Sequence, residues 1–348
     1  MKDLQKMSPV ELKSCSILAS VYALRMLGMF LILPIFAIYA TNLDSNPTSL
    51  QIGLALGIYG LTQAIFQIPF GMSSDYFGRK KVIYFGLLLF IIGSLIAGYS
   101  TSIEGIILGR SIQGSGAISA VLTALLADIT REEQRTKAMA IIGASIGLTF
   151  ALSLVLSPWL NDVIGVDGIF ILMAILSFTA FLLVYFFIKE PEIRKEKTKT
   201  SADEFLKILK DINLFRMNFG IFVLHATQIS MFMTIPIYLV NQGGINLSDH
   251  WQIYLPVLFF SFLLMIPIII FSEKFNKIKI AFLSSIIILF VAQLVFIIFG
   301  NTLFGIILAL LIYFVGFNFL EAFLPSLVSK IAPINKKGLA LGVYNTSQ

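Results

Sequence analysis

Gly71-Met-Ser-Ser-Asp75-Tyr-Phe-Gly78-Arg79-Lys80-Lys81 is a short polar stretch between two long apolar runs, 50–73 and 82–100. Gly71 and Gly78 permit close backbone approach and a tight turn, as a reversal between antiparallel helices requires. Asp75 suits a helix N-terminus, where the dipole favours a carboxylate. Arg79 can pair with a carboxylate at another helix end, and Asp128 is the candidate. A need for positive charge in the loop explains the three cations but not the Gly-x3-Asp-x2-Gly-Arg spacing around them.

Outward from this loop, the cations follow a simple pattern. All but Arg25 and Arg110 of the 25 Lys and Arg residues fall into six groups. These are Lys2/Lys6/Lys13, Arg79/Lys80/Lys81, Arg131/Arg135/Lys137, the stretch from Lys189 to Arg216, Lys274/Lys277/Lys279 and Lys330/Lys336/Lys337. The intervening loops near Asp44, Glu104, Asp162, Asp249 and Asn301 carry none. Short loops rich in Lys and Arg stay in the cytoplasm, so the pattern predicts a multi-pass membrane protein with a cytoplasmic N-terminus.

Composition agrees. A chain that is 57% hydrophobic and 13% charged, with mean hydropathy +0.91, has too little polar surface to cover a soluble core. In lipid, helices satisfy their own backbone and exposed apolar side chains carry no penalty. The net charge of +6 is spread over separate loops rather than one face, which excludes a nucleic-acid surface. The single cysteine, Cys15, excludes an internal disulfide and a thiolate metal cluster. No phosphate-binding loop, paired-His metal site or activated nucleophile is present, so the chain is not expected to be an enzyme or to need a cofactor or metal.

A bilayer core takes about 20 apolar helical residues. The expected spans are 16–41, 50–73, 82–100, 103–127, 138–160, 166–188, 214–240, 250–272, 280–299 and 302–329, with an eleventh opening at Gly338 and stopping at Gln348. This divides the chain into a six-span bundle (1–188), a cytoplasmic linker (189–213) whose second half can form a short surface helix, and a second bundle (214–348) that is incomplete. Gly53-Leu-Ala-Leu-Gly-Ile-Tyr-Gly-Leu-Thr-Gln63 reappears as Gly338-Leu-Ala-Leu-Gly-Val-Tyr-Asn-Thr-Ser-Gln348, seven identities in eleven. Lys137-Ala-Met-Ala140 echoes Lys337-Gly-Leu-Ala340. The first pair occurs on spans 2 and 11, which cross in opposite directions, as in transporters built from inverted three-helix repeats.

On these residues the chain resembles the major facilitator superfamily, whose characteristic loop joins its second and third helices. Gly109-Arg110-Ser-Ile-Gln113-Gly114-Ser-Gly116-Ala117 is similar to a second pattern of that family. Tyr76 stands where the family usually has Arg. Arg25 to Pro34, Gly57 to Gly71 and Glu321-Ala-Phe-Leu-Pro-Ser-Leu resemble the YajR group of proton-driven exporters within it. The resemblance implies an all-α major facilitator fold of two six-helix bundles, each built from inverted three-helix repeats, with twelve helices. It also implies that Gly71, Asp75, Gly78, Arg79 and Asp128 act as a gating loop. The family's antiporter signature in the fifth helix ends in Gly-Pro, whereas span 5 has Gly143 and Gly147 and only Pro158, far along it.

Four ionisable side chains lie well inside spans: Arg25, Arg110, His225 and Glu321, on spans 1, 4, 7 and 10. The resemblance implies that these helices line a central cavity. With a rise of ~1.5 Å per residue, Arg25, His225 and Glu321 fall roughly 12 to 16 Å from the cytoplasmic ends of their spans. Arg110 lies about 10 Å from the outer end, with Gln113 one turn away as its partner. An Arg in mid-span costs about 2.5–3.5 kcal/mol on insertion scales, so it must face water or a partner. Glu321 is expected to be the protonatable group, its charge state tied to opening through Arg25. His225 is also readable as a packing residue, and Arg25 as a clamp on neighbouring carbonyls. Tyr59, Gln63 and Gln67, spaced by four, form a polar stripe on span 2, and Pro34, Pro69, Pro236 and Pro267 are expected to bend their spans.

The expected function is a secondary transporter working by alternating access on a small-molecule substrate and protons, as proton-driven efflux of a small amphipathic compound. The alternatives are a proton-coupled metabolite importer and, because the eleventh span stops halfway, a non-transporting remnant. A monomer in the bilayer is expected.

Overall fold

The computed structural model describes residues 7–43, 46–131, 134–188, 202–275, 277–333 and 337–348. Every regular element among them is helical: α1 (Pro9–Ile32), α2 (Phe36–Thr41), α3 (Ser49–Phe77), α4 (Arg79–Tyr99), α5 (Ile103–Ser115), α6 (Ser119–Ile129), α7 (Arg135–Phe187), α8 (Ala202–Lys210), α9 (Ile212–Asn241), α10 (Trp251–Lys274), α11 (Ile278–Phe299), α12 (Leu303–Ile331) and α13 (Lys337–Ser347). Nine helices among the described residues are long and apolar enough to cross a membrane. Contacts divide the chain into two compact units, Met1–Thr198 and Lys199–Gln348.

The first unit departs from the expected spans at three places. Span 1 begins earlier, at Pro9, where Ser8 and Glu11 form a capping box, and breaks into α1 and α2 around Pro34. Span 4 is not continuous: α5 ends at Ser115, Gly116 leaves helical geometry (φ −75°, ψ 52°), and α6 starts at Ser119. Spans 5 and 6 share one 53-residue element with a single non-helical residue, Gly165 (φ 67°, ψ 173°), in a region only glycine occupies readily.

Contacts show that the chain reverses at Gly165. Ser145 Oγ donates to the Ala19 carbonyl (3.4 Å) and Ser157 Oγ to the Leu31 carbonyl (2.5 Å), so the first half of α7 runs parallel to α1. After Gly165 the order inverts. Met173 packs on Gly28 and Lys13 Nζ lies 6.0 Å from the Phe187 ring. Residues 157 and 173 would be roughly 24 Å apart in a straight helix, yet they touch α1 three residues apart.

α4 turns Gly86, Phe90, Gly93 and Ala97 inward and Phe85, Leu88 and Ile92 to the lipid side. Gly93 lets α5 approach so closely that a Cβ there would lie 2.5 Å from the Gly109 carbonyl oxygen and from the Gln113 amide nitrogen. Small residues drive such close helix packing where no hydrophobic effect operates between helices. The core of this unit joins Leu18, Val21, Leu87, Val121, Leu125 and Val184.

In the second unit α12 is central, touching α9, α10, α11 and α13. Asn318 Nδ2 donates to Ser261 Oγ of α10 (3.0 Å), and Tyr313 Oη to the Leu224 carbonyl of α9 (3.4 Å). α11 is largely peripheral, with Ile287, Phe290 and Ile297 exposed. α8 is the short amphipathic helix expected in the second half of the linker, while 189–201 lies outside the described residues. Pro69, Pro236 and Pro267 sit inside helices that continue past them, unlike Pro34.

A Cβ at Gly116 would overlap the Gly86 carbonyl oxygen, whereas Gly143 and Gly147 have open space. Gly116→Ala should therefore destabilise the purified protein by about 1–3 kcal/mol, as overpacking does. Gly143→Ala should be neutral or stabilising by up to about 1 kcal/mol. Thermal unfolding in detergent measures both, and equal midpoints for the two variants would contradict this packing.

Candidate functional site

The break in span 4 organises the polar interior of the first unit. Ending α5 at Ser115 takes the Gly116 carbonyl out of the helical ladder, and it accepts from the Ile118 N–H (2.9 Å) and from Nη2 of Arg25 on α1 (3.3 Å). The same nitrogen donates to Tyr59 Oη (3.0 Å) and Gln63 Oε1 (3.0 Å), while Nη1 donates to Ser119 Oγ (2.8 Å) at the start of α6. A cation at the C-terminal end of a helix is favoured by its dipole. Tyr22 completes the cluster, its hydroxyl donating to the Ser119 carbonyl at 2.5 Å. Arg25 is 1% exposed and its Nε has no acceptor.

Arg110, 2% exposed, lies on the other side of Tyr59, its guanidinium carbon 4.7 Å from the ring centroid. It donates from Nη1 to Gln113 Oε1 (3.0 Å) and from Nε to the Ala55 carbonyl (3.4 Å). Gln113 passes the connection on, donating from Nε2 to Ser94 Oγ (2.6 Å) on α4. Gln113 is thus the partner of Arg110 that one helical turn predicts. Tyr59 connects the two arginines, its hydroxyl serving one and its ring face the other.

The second unit has its own cluster. His225 Nε2 of α9 lies 3.1 Å from Glu321 Oε2 of α12. Gln348, beyond the end of α13, donates from Nε2 to Glu321 Oε1 (3.0 Å) and lies 3.0 Å from His225 Nε2. Phe317 packs edge-on to the imidazole at 5.9 Å between ring centroids. The side chains of His225 and Glu321 are 22% and 35% exposed. Glu321 is therefore met by His225 and Gln348 of its own unit, where the sequence reading looked to Arg25. The contacts of Arg25 given above all come from the first unit. Gln63 and Gln348, the last residues of the eleven-residue repeat, each bind the ionisable group of their unit.

At the end where the loops are basic, Arg79 Nε pairs with Asp128 Oδ2 at 3.0 Å, the candidate carboxylate at another helix end, and its Nη1 donates to Ser74 Oγ (2.6 Å). Ser74 in turn donates to the Gly71 carbonyl (2.7 Å). Gly78 joins α3 to α4 at φ 98°, a left-handed value that favours glycine. Asp75 is on α3, and its side chain lies outside the described residues. Sequence reasoning missed a second pair nearby. Arg131 donates from Nε to Glu11 Oε1 and from Nη2 to Glu11 Oε2, both at 3.0 Å, and its backbone N–H donates to Oε1 at 3.0 Å. The only sequence signal was the Ser8-Pro-Val-Glu11 capping box. Lys80 Nζ donates to the Ile188 carbonyl (2.6 Å).

The comparisons with known proteins match this architecture. A family model of the Major Facilitator Superfamily matches residues 18–348. The chain belongs to this superfamily, whose members are transporters rather than enzymes. The inner membrane transport protein YajR of Escherichia coli (strain K12) is 42% identical over 345 residues, which is 99% of this chain and 76% of that protein. The class B tetracycline resistance protein of Escherichia coli is 29% identical over 178 residues, 51% of this chain and 44% of that protein. In structure, a bacterial homologue of the human lysosomal transporter Spinster, inward-facing and unoccupied, aligns with a TM-score of 0.75 at 14% identity, covering 98% of this chain and 81% of that one.

The two ion pairs should differ in strength. Glu11, 9% exposed, is held by a bidentate guanidinium and a backbone amide of Arg131, itself 41% exposed, whereas Arg79 and Asp128, 18% and 41% exposed, share one described contact at 3.0 Å. A double-mutant cycle with Glu11→Gln and Arg131→Gln should give a coupling of about 1–3 kcal/mol in detergent unfolding. The Arg79 and Asp128 cycle should give under about 1 kcal/mol. The reverse order would contradict this ranking.

Proposed function

We propose that this chain is a proton-driven exporter of a small amphipathic molecule, working by alternating access between two bundles, 1–188 and 214–348, joined by the linker 189–213. Nine helices long and apolar enough to cross a membrane among the described residues, one of them reversing at Gly165, support this reading. The charge pattern of the loops supports a cytoplasmic N-terminus, and the inner-membrane relative supports a bacterial cytoplasmic membrane. The efflux direction draws on the likeness to the tetracycline resistance protein.

The observation that carries the proton coupling is the His225–Glu321–Gln348 cluster. It is the one place among the described residues where a carboxylate and an imidazole meet within apolar helices, and both remain partly open. Ionisable side chains inside membrane spans are rare and mark substrate and ion pathways and proton relays. A proton arriving on Glu321 removes the negative charge facing His225 and weakens the hold of Gln348, which joins α13 to α9 and α12. Loss of the proton restores the contact. Arg25 and Arg110, by contrast, stay charged at any physiological pH, so they serve as fixed charges on the substrate and gating side. Arg79 and Asp128 act in the loop that links α3, α4 and α6.

Glu321→Gln should fold, because the amide still reaches Gln348 and His225, and should abolish proton-driven transport while leaving downhill substrate exchange intact. Reconstituted vesicles with an imposed pH gradient measure both activities. Undiminished gradient-driven export in the variant would refute the assignment, and gradient-driven uptake in the wild type would reverse the direction.

A further inference from the structure

We propose that the transported molecule carries a negative charge, and that it binds the first unit at Arg25, where its anionic group replaces the side-chain carbonyl of Gln63. This rests on the transporter reading above and adds the chemical class of the substrate and its point of attachment.

The observation is a missing counter-charge. Arg25 and Arg110 are 1% and 2% exposed, and both are held only by neutral groups: hydroxyls, side-chain amides, backbone carbonyls and an aromatic ring. No carboxylate within 1–188 lies deeper than the second residue of an apolar span. Those with described contacts are engaged elsewhere: Glu11 with Arg131, Asp128 with Arg79, Asp167 with Tyr39 and Glu104 with Gln51. The membrane-buried interior of this unit therefore carries two permanent positive charges and no negative one.

Burying an ion without an opposite charge is costly, and proteins ordinarily avoid it by pairing or by neutralising the group. A guanidinium cannot be neutralised by losing its proton. The C-terminal end of α5 offsets only about half a charge at Arg25, and the described partners of Arg110 are Gln113, the Ala55 carbonyl and the Tyr59 ring. The hydrogen bonding of Arg25 is also unbalanced. Its Nη2 has three acceptors for two hydrogens, while Nη1 has one acceptor and Nε none. The side is layered, too. Gln63 and Ser119, which hold Arg25, are only half-buried, whereas the guanidinium itself is sealed. An incoming carboxylate or other oxyanion can displace the Gln63 carbonyl and form the stronger, charge-assisted bond. Arg110, behind Tyr59, adds its field to the same point. The missing negative charge is then one that arrives and leaves with the substrate.

The test is equilibrium binding to the purified full chain in detergent, followed by fluorescence anisotropy, with two xanthene dyes of similar size: anionic carboxyfluorescein and cationic rhodamine 6G. Wild type should bind carboxyfluorescein saturably and in preference. Gln63→Glu, which places a carboxylate on Arg25 from within, should weaken that binding about tenfold or more while raising thermal stability, since it supplies the absent counter-charge. Arg25→Gln should weaken it similarly, and Gln63→Glu keeps the test decisive if Arg25→Gln does not fold. Preference for rhodamine 6G, failure to bind either dye, or undiminished carboxyfluorescein binding in Gln63→Glu would each overturn the proposal. No proton gradient is present in this experiment, so its failure leaves the assignment of Glu321 standing, and failure of that assignment leaves this one standing.

Discussion

A guanidinium buried at the mid-depth of a membrane helix bundle is the constraint around which the first unit is arranged. Arg25 cannot discharge, so each neighbouring helix has to present it with an acceptor. α3 gives Tyr59 and Gln63, and α6 gives Ser119. The remaining acceptor, the Gly116 carbonyl, exists because span 4 stops being helical there. Non-helical backbone at this depth is tolerated only where protein satisfies it. The arginine and the break therefore depend on each other. The close packing of Gly86 on Gly116, and of Gly93 on Gly109, allows α4 and α5 to flank that break without a gap.

The two units solve one geometric problem with different chemistry. Each has an ionisable residue on its first long helix, a partner on its fourth span and the final glutamine of the repeat against them. In the first unit the ionisable group is an arginine, which holds its charge. In the second it is a histidine with a carboxylate, which can exchange a proton. This asymmetry suits a proton-coupled carrier, in which one half keeps a constant field and the other changes state. The ion pairs at the basic end, Arg79 with Asp128 and Arg131 with Glu11, anchor both flanks of α6 to neighbouring helices.

Much of this was legible in the sequence because lipid imposes simple rules. Span length, the clustering of cations in alternate loops and the four ionisable residues on spans 1, 4, 7 and 10 all follow from the cost of placing charge or open backbone in hydrocarbon. Two pairings were legible as well: Gln113 is one helical turn from Arg110, and Asp128 is a carboxylate at a helix end that Arg79 can meet. The partner of Glu321 was not legible, since His225 lies 96 residues away and only the crossing of α9 and α12 brings them together. The break at Gly116 was also hidden. Glycines are frequent in membrane helices, and Gly114-Ser-Gly116 reads equally well as a close-packing surface. The reversal between spans 5 and 6 was legible as a cation-free loop near Asp162, although its narrowing to the single residue Gly165 was not. Glu11 carries only a cap signature in the sequence, and its pairing depends on Arg131 arriving 120 residues later.

The central claim is that Arg25 holds the break in span 4 together, and hydrogen–deuterium exchange at the amides from Gln113 to Leu122 tests it most directly. In the wild type in detergent micelles, this segment should exchange slowly, since the break is closed by the guanidinium and the Ser119 hydroxyl. Arg25→Met keeps an unbranched, flexible side chain but removes its donors, and it should speed exchange in this segment while leaving α9 and α12 unchanged. Exchange in 113–122 that is the same in both proteins would show that the break stands without Arg25, and would contradict the account.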